Sequence, residues 1–503
     1  MSAGLHWIDG VILAIYAGTT IAVGWWYGRR GQSTDEYFAG NRSMSPFLIG
    51  VSIFATLFST ISYLTTPGEV LNHGPAVSLT GLLAIPIYYY IVGYVIAPLY
   101  MKHRATSAYA LLEAELGLAA RITGAVMFVM LRLTWMSVLI FFASKALLVM
   151  LGAGDHWLPA VTLATGGIAV CYASMGGLRA VVITDLFQFL LLFSGALLVI
   201  AMVTWDAGGL GWLPTQWNRE WDTQPLFDID PTVRVTVFGS ILHAVLWWVC
   251  TAGSDQTAIQ RFMATKDAAA ARRSFLINSL AGAAVAVVLV LVGFALLAFY
   301  QADASRLPAG KTIAQNADDL FPYFISAHLP VGLSGLVLAG VFAAAMSSID
   351  SGVNSITAVV ITDFVERFRP KPMSEQARIR FARRLAFSIG LVVVSTSSFA
   401  IGRVPGNYLE QAYRTFGLLV TPLFTLFLFA LFIPVATQAG AIFGAGMGFV
   451  SAFVVAYWDL MTGLPAISFQ WIFPVSLVVG ILAGCTWSLL LGGRRRTDNN
   501  ESE

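Results

Sequence analysis

The chain contains 503 residues, of which 57% are hydrophobic and only 11% are Asp, Glu, Lys or Arg. A soluble domain carries about 25% of these charged residues, so the composition excludes a water-soluble body, a disordered chain and a disulfide-stabilised secreted scaffold. The net charge of +2 indicates no nucleic-acid partner, and no obligate protein partner is evident. The sequence therefore predicts a polytopic protein of the lipid bilayer, whose functional residues lie among the polar side chains that it keeps within the membrane.

Thirteen stretches are apolar over the roughly 20 residues that a helix needs to cross a bilayer. They predict an all-α membrane protein with about 13 transmembrane helices, at 8–27, 46–71, 77–101, 121–151, 158–175, 181–204, 236–260, 273–300, 331–361, 384–401, 408–433, 437–458 and 470–492. With the N-terminus outside, 21 of the 29 Lys and Arg residues, Arg261 among them, fall in cytoplasmic loops. Because such loops carry an excess of positive charge, we expect a multi-pass protein of the cell inner (plasma) membrane with a cytoplasmic C-terminus.

Two of these spans contain polar interruptions typical of transporter helices that unwind near the membrane midplane. Span 46–71 contains a Ser/Thr cluster before Pro67, and span 236–260 contains the polar run 251–256. Five spans separate the starts of the two, so they cross the bilayer in opposite directions. Unwound backbone offers carbonyl and N–H groups that hydrocarbon cannot satisfy but an ion or a solute can. The pattern predicts a five-plus-five inverted repeat with broken first and sixth core helices.

This repeat divides the chain into five parts. They are a leading helix and cytoplasmic loop at 1–45, repeat 1 at 46–204, an extracellular loop at 205–235, repeat 2 at 236–433, and two trailing helices with a cytoplasmic tail at 434–503.

The densest polar cluster within a predicted span lies between Ser347 and Ser355. Positions 347, 350, 351 and 354 share one helix face, and their hydroxyl and carboxylate oxygens favour a hard cation. A second carboxylate, Asp185, opens span 181–204, where it is equally well interpreted as a helix cap. If Asp185 meets Asp350 in a low dielectric, both stay ionised only with a bound cation or a shared proton. Sodium coupling and proton coupling therefore remain as alternatives.

Other charged residues within the spans have ordinary interpretations beside functional ones. Arg132 lies eleven residues beyond Arg121, about 16 Å along a helix and near mid-membrane. It is either half of a structural ion pair or the group that holds a solute carboxylate. Glu410 and Arg414, four residues apart, predict a local ion pair. No acid–base or nucleophile arrangement indicates an enzyme.

Four motifs, in this order along nearly the whole chain, resemble the sodium:solute symporter family of sugar, sialic acid, proline, pantothenate and monocarboxylate carriers. They are 37–42 after the first helix; 176–181 with Thr184, Asp185 and Gln188; 260–262 with Lys266, Arg272 and Arg273; and 343–355. The resemblance implies the inverted-repeat fold and sodium-driven uptake of a small solute by alternating access, with sodium as the coupling ion.

The resemblance also implies the residues of three sites. The principal sodium site takes the backbone carbonyls of Ala55, Phe58 and Ala344 and the hydroxyls of Ser347 and Ser348. A second ion site, present in some members, corresponds to Asp185, Asp350 and Ser351, and here Asp350 replaces a hydroxyl. Substrate contacts correspond to Ser59, Ser62, Thr65, Arg132, Trp248 and Thr251.

Two positions that differ from the family pattern narrow the choice of solute class. Ile61 and Ser62 stand where the sugar carriers have an acid–amide pair, which argues against a galactose-type site. A carboxylated solute or sugar acid is therefore the leading hypothesis. A proton-coupled symporter that uses Asp185 and Asp350, a neutral sugar symporter, a channel and a membrane sensor are the alternatives.

Overall fold

The computed structural model describes residues 4–30, 44–58, 60–103, 107–173, 178–219, 221–371 and 373–490. Within these ranges the regular structure is entirely helical, as predicted. The helices, in chain order, are α1 (Trp7–Arg30), α2 (Pro46–Leu57), α3 (Thr60–Asn72), α4 (Ala76–Lys102), α5 (Tyr109–Leu116), α6 (Leu118–Leu151), α7 (Leu158–Ala173), α8 (Leu178–Asp206), α9 (Val237–Ser254), α10 (Gln256–Met263), α11 (Ala268–Ala302), α12 (Ile313–Ala327), α13 (Leu333–Phe368), α14 (Glu375–Phe399), α15 (Tyr408–Phe432), α16 (Gln438–Ala456), α17 (Trp458–Thr462) and α18 (Ile472–Leu490).

Among the described residues, ten helices are long and apolar enough to span a membrane, and α2 with α3 forms an eleventh span that is bent. The predicted count of 13 is therefore not confirmed. The other two predicted spans, 158–175 and 384–401, coincide with α7 and α14. Helix α7 has 16 residues within the described part of the chain, and the first half of α14 is rich in arginine, so neither meets, among the described residues, the length and hydropathy expected of a full span.

Both predicted helix breaks are present. Helix α2 ends where Phe58 adopts an extended conformation (φ −92°, ψ 99°), and α3 continues at 62° to it. Helix α9 ends at Asp255 (φ −86°, ψ 118°), whose carboxylate accepts a hydrogen bond of 2.8 Å from the Thr257 N–H and so begins α10. Since helix ends leave backbone groups without intrahelical partners, each break brings carbonyl and N–H groups that need partners from other helices into the interior of the helical body.

Helix α13 is the centre of the fold and is buried along almost its entire length. It packs against α2, α6 and α8, and α2 lies between α8 and α11. This packing brings the polar residues of α13 to the end of α2, where the chain unwinds.

One side of the helical body carries the connection 207–236. Arg234, near the end of this connection, contacts Glu69 in α3 and Glu410 at the start of α15. We name this side the cap side and the opposite side the tail side.

The predicted local pair of Glu410 with Arg414 is wrong, because Arg414 pairs instead with Asp459, at 3.0 Å. Each residue has a partner outside its own helix, Arg234 for Glu410 and Asp459 for Arg414, and an i,i+4 pair on a helix is too weak to compete with it.

Candidate functional site

The hydroxyl groups of Ser347 and Ser348, in α13, meet the end of α2. Ser347 Oγ donates a hydrogen bond of 2.7 Å to the Ala55 carbonyl, and Ser348 Oγ donates one of 2.7 Å to the Thr56 carbonyl. The Ala344 carbonyl oxygen lies 3.2 Å from Ser347 Oγ and 3.4 Å from Ser348 Oγ. Both serine side chains are buried. The structure thus brings together four of the five residues predicted for the sodium site.

The fifth residue, Phe58, occupies the break itself, one residue beyond the end of α2. Carbonyl oxygens have two lone pairs each, and a hydroxyl that donates one hydrogen bond keeps lone pairs for another partner. Neutral oxygen donors from two helices suit a hard cation better than a soft metal. The residues present therefore fit a sodium ion.

A second buried polar cluster surrounds Asp185. Ser52 Oγ donates a hydrogen bond of 2.5 Å to Asp185 Oδ2, and Arg261 Nη2 lies 3.6 Å from the same oxygen. Arg261 also donates to Ser52 Oγ (2.8 Å) and to Ser351 Oγ (2.5 Å). Asp185 lies two turns inside α8, so its interpretation as a helix cap is wrong. Two of the three residues predicted for the second ion site, Asp185 and Ser351, thus share one guanidinium.

Arg261 is the residue of this cluster that the sequence analysis missed, because it was counted among the loop charges. Its side chain is 1% exposed and lies within electrostatic reach of Asp350 as well as Asp185. Arg261 is therefore a buried positive charge within reach of both carboxylates of the predicted second ion site. A Lys or Arg beside a helix break is the sequence signal that would have drawn attention to Arg261.

A cavity of about 220 Å³ lies beside the α2–α3 break. Its walls are apolar, formed by small and aliphatic residues together with the aromatic side chains of Phe58, Tyr88, Trp135, Trp247, Trp248, Tyr413, Phe416 and Phe469. Its polar lining residues are Ser62, Thr65, Thr66, Ser78, Ser240, His243 and Gln470. Among the described residues, no Asp, Glu, Lys or Arg lines it.

Three predicted substrate contacts, Ser62, Thr65 and Trp248, line this cavity, whereas Arg132 and Thr251 do not. Ser59 lies outside the described residues. The lining residues Ser240, His243, Trp247 and Gln470 were not predicted. None of these residues belongs to a local motif in the sequence. Only the fold brings them together at one cavity.

The sequence profile of the sodium:solute symporter family matches residues 37–448. The chain belongs to this family. The sodium-dependent multivitamin transporter of Oryctolagus cuniculus is 29% identical over 477 residues, which cover 91% of this chain and 71% of the relative. The sodium/sialic acid symporter of Proteus mirabilis is 25% identical, with 90% of each chain covered. Sodium-coupled monocarboxylate transporter 1 of Homo sapiens is 27% identical, with 90% of this chain and 72% of the relative covered.

A solved structure of a Na⁺-coupled sialic acid symporter in a substrate-bound, outward-open state has the same fold. The TM-score is 0.80 at 23% sequence identity, and the match covers 97% of this chain and 99% of that one. The chain is therefore a multi-pass secondary transporter and not an enzyme. It couples the symport of a solute to sodium by alternating access, on an inverted-repeat fold.

In this symporter Arg132 forms an ion pair with Asp255 at the α9–α10 break. Both side chains are 2% exposed, and the guanidinium lies 5.6 Å from the Trp135 ring centroid. These contacts favour the ion-pair alternative for Arg132. They also place Arg132 next to the solute cavity, because Trp135 lines that cavity.

Tyrosine hydroxyls close the tail side of the same break. Tyr100 donates a hydrogen bond of 2.7 Å to the Gly253 carbonyl, and Tyr109 donates one of 3.0 Å to the Ser254 carbonyl. The last carbonyls of α9 are thus satisfied by side chains of α4 and α5.

Arg234 closes the cap side. It donates hydrogen bonds of 2.6 Å and 2.8 Å to the Glu69 carboxylate and one of 2.9 Å to Glu410. Although burial opposes the charge, the carboxylates of Glu69 and Glu410 raise the pKa of Arg234 above its ordinary value. The guanidinium of Arg234 therefore stays charged. Its contacts join α3 and α15 to the connection 207–236 over the cap end of the solute cavity.

Proposed function

We propose that this symporter takes up a small carboxylated solute with a ring-sized apolar body. The observation that carries this proposal is the cavity beside the α2–α3 break, which has apolar, partly aromatic walls and a volume of about 220 Å³. A cavity of about 150 Å³ is enough for benzene. The space therefore suits one six-membered ring with one or two small substituents, and it is narrow for a large sugar acid.

The carboxylate is assigned to the end of the cavity at the helix break. No charged side chain lines the cavity among the described residues, so positive potential has to come from elsewhere. The amino end of α3 carries a partial positive charge, and the Ser62 and Thr65 hydroxyls lie on its first turns. A sodium ion held by Ala55 and its partners adds a full charge beside the same break.

The relatives support an anionic solute. Those named for sialic acid and monocarboxylates, together with the sodium/iodide cotransporter of Homo sapiens, transport anions according to their names. These three share 25–27% of their aligned residues with this chain. A site that provides sodium and helix-end charge but no lining Arg or Lys suits this class.

The second cluster supports a further coupling ion. Asp185 and Asp350 both lie within electrostatic reach of Arg261, and two carboxylates in a buried site stay ionised only where cations compensate their charge. We propose that one sodium ion binds there together with Asp185, Asp350 and Ser351, in addition to the ion at Ser347 and Ser348. Proton coupling at the same carboxylates is the second candidate, because a proton compensates the same charge.

The membrane orientation is proposed from the bias of Lys and Arg. We place the protein in the cell inner (plasma) membrane with the cap side outside and the C-terminus in the cytoplasm. Thr223, in the connection on the cap side, and Lys371, after α13, are both exposed. A membrane-impermeant maleimide added to intact cells is expected to label Thr223→Cys and not Lys371→Cys, and the reverse pattern inverts the orientation.

Uptake into proteoliposomes tests the function. Radiolabelled ring acids such as benzoate and nicotinate are expected to accumulate when an inward sodium gradient is imposed. Glucose, of similar size but uncharged, is the matched control and is expected not to accumulate. Accumulation that follows a pH gradient in sodium-free buffer supports the proton-coupled candidate, and accumulation of glucose alone refutes the carboxylated solute.

A further inference from the structure

We propose that the tail-side ends of α4 and α11 form a binding site for the phosphate group of an anionic phospholipid, centred on Arg272. Helix α4 runs from Ala76, just after the cap-side residue Glu69, to Lys102. Helix α11 packs against α4 in the opposite direction and begins at Ala268, on the tail side. Both helices have the length and hydropathy of a membrane span, so this end of the seam between them lies at the level of the lipid headgroups.

Arg272 enters the seam through a notch in α4 at Gly93. A Cβ atom at position 93 would lie 3.0 Å from Arg272 Cγ and 3.5 Å from its Cδ. Gly93 belongs to a π-helical turn of α4, Val92–Ile96, and such turns are frequent at functional sites. The glycine therefore lets the stem of Arg272 pack directly against α4, which restricts where its guanidinium lies.

The guanidinium of Arg272 lies over an aromatic ring at the outer surface of the helical body. It is 4.4 Å from the ring centroid of Tyr94, which is 51% exposed and stacks on Tyr90 with centroids 5.4 Å apart. No described residue forms an ion pair or a hydrogen bond with the Arg272 side chain. A guanidinium presents several N–H donors in a planar fork that matches a phosphate group, and these donors remain available for a ligand.

The exposed faces of both helices change from apolar to basic towards the tail side. A phospholipid has the same gradient, from its acyl chains to its phosphate, and cationic and aromatic side chains are typical of the level of the headgroups. In order towards the tail side, the exposed face of α4 carries Leu83, Ile87, Tyr90, Tyr94 and Lys102, and that of α11 carries Leu280, Leu276 and Arg273.

The charge of this surface favours a lipid with a net negative headgroup. Arg272, Arg273 and Lys102 form no ion pair with a described residue. The nearby carboxylate of Asp267 lies 3.9 Å from Lys266 and is half-exposed. Each cation near a membrane surface adds about fivefold to the affinity for anionic lipid, whereas a zwitterionic lipid brings an ammonium group that these cations repel. Because the surface faces the bilayer, we assign it to a lipid and not to a soluble phosphate.

Native mass spectrometry of the protein in an uncharged detergent tests the proposal. The probes are phosphatidylglycerol and phosphatidylcholine with identical acyl chains, which differ in the net charge of the headgroup. The wild-type protein is expected to bind phosphatidylglycerol about tenfold more tightly and to gain thermal stability from it. Glycerol 3-phosphate, a soluble phosphate without acyl chains, is expected not to displace the lipid.

Three variants assign the preference to this site. Arg272→Met retains an apolar stem and is expected to lose about fivefold of the preference for phosphatidylglycerol. Tyr94→Leu changes no charge and is expected to lose about threefold, because the guanidinium loses the ring that orients it. Arg384→Met is the matched control, because Arg384 is an exposed arginine of α14 that has no ring contact with a described residue. This variant is expected to keep the full preference.

Each other outcome overturns the proposal. Equal binding of the two lipids by the wild-type protein means that the surface does not select an anionic headgroup. Equal losses in Arg272→Met and Arg384→Met mean that only the total charge of the protein matters. Displacement by glycerol 3-phosphate indicates a site for a soluble phosphate instead of a lipid. If Arg272→Met does not fold, the comparison of Tyr94→Leu with Arg384→Met decides the question, and an unchanged preference in Tyr94→Leu then refutes the site.

Discussion

The pairing of Arg132 with Asp255 allows the two interpretations of Arg132 to be separated by experiment. We predict that Arg132→Met destabilises the protein, because it leaves the Asp255 carboxylate buried without its counter-ion. Both side chains are 2% exposed, and removal of one partner of a buried pair costs about 3–5 kcal/mol. A residue whose main role is to bind solute has no such effect on the protein without solute.

A double-mutant cycle measures this coupling. Asp255→Asn removes the charge but keeps a side-chain oxygen for the 2.8 Å hydrogen bond from the Thr257 N–H, so the α9–α10 break is conserved. We expect each single variant to lose about 3–5 kcal/mol and the Arg132→Met/Asp255→Asn double variant to recover at least 2 kcal/mol of the summed loss. Unfolding of the purified protein in detergent, without solute, gives the three free energies.

The cycle has a clear contrary result. If Arg132→Met unfolds like the wild-type protein while solute binding is lost and sodium binding is retained, Arg132 is a solute ligand and its ion pair with Asp255 breaks during transport. Additive losses in the double variant also refute the reasoning, because they mean that the two residues are not energetically coupled.

Three further predictions concern the ion sites and the cap side. Ser347→Ala is expected to raise the sodium concentration for half-maximal uptake at least tenfold, because it removes a hydroxyl at the end of α2. Ser355→Ala is expected to leave this concentration unchanged, because the Ser355 hydroxyl donates to Gln260 (2.9 Å). Arg261→Gln leaves two buried carboxylates without their guanidinium, so we expect thermal stability to depend more steeply on sodium concentration. Burial, reinforced by Glu69 and Asp319 and opposed by the Tyr408 N–H and His73, raises the pKa of Asp318 to about 7. Its carboxyl group therefore favours the folded state at acidic pH, and this contribution is lost as pH rises through about 7. The melting temperature of the wild-type protein is expected to fall between pH 5 and pH 8, and Asp318→Asn is expected to flatten this fall.

Hydropathy and interrupted helices were sufficient to predict the fold class, because a bilayer leaves few ways to satisfy a backbone. The predicted number of spans is not confirmed. Helix α14 shows why: its arginine-rich start belongs to the same helix as its apolar end, and sequence alone divides such a helix at the change in composition.

The candidate site was predictable only in part, for a physical reason. Ser347 and Ser348 belong to a local cluster, so the sequence marks them. Arg132 and Asp255 are separated by 123 positions and Ser52 and Asp185 by 133, and no periodic pattern relates residues so far apart. The partners of Arg261 are equally distant in the sequence, so its contacts with Ser52 and Asp185 are visible only in the packed helices, although its place beside a helix break is a local signal.

The α2–α3 break explains how two ligands are coupled in one protein. Ala55 and Phe58 belong to the predicted sodium site, while Phe58 and Ser62 line the solute cavity, so a conformation of this short segment that suits one ligand alters the site of the other. Thr56 extends the connection, because its carbonyl accepts from Ser348 and its hydroxyl lies 2.8 Å from Ser351 Oγ in the second cluster. Binding linkage is reciprocal. The factor by which sodium raises the affinity for solute must therefore equal the factor by which solute raises the affinity for sodium. A substitution that stiffens or loosens the α2–α3 break has to change both factors together.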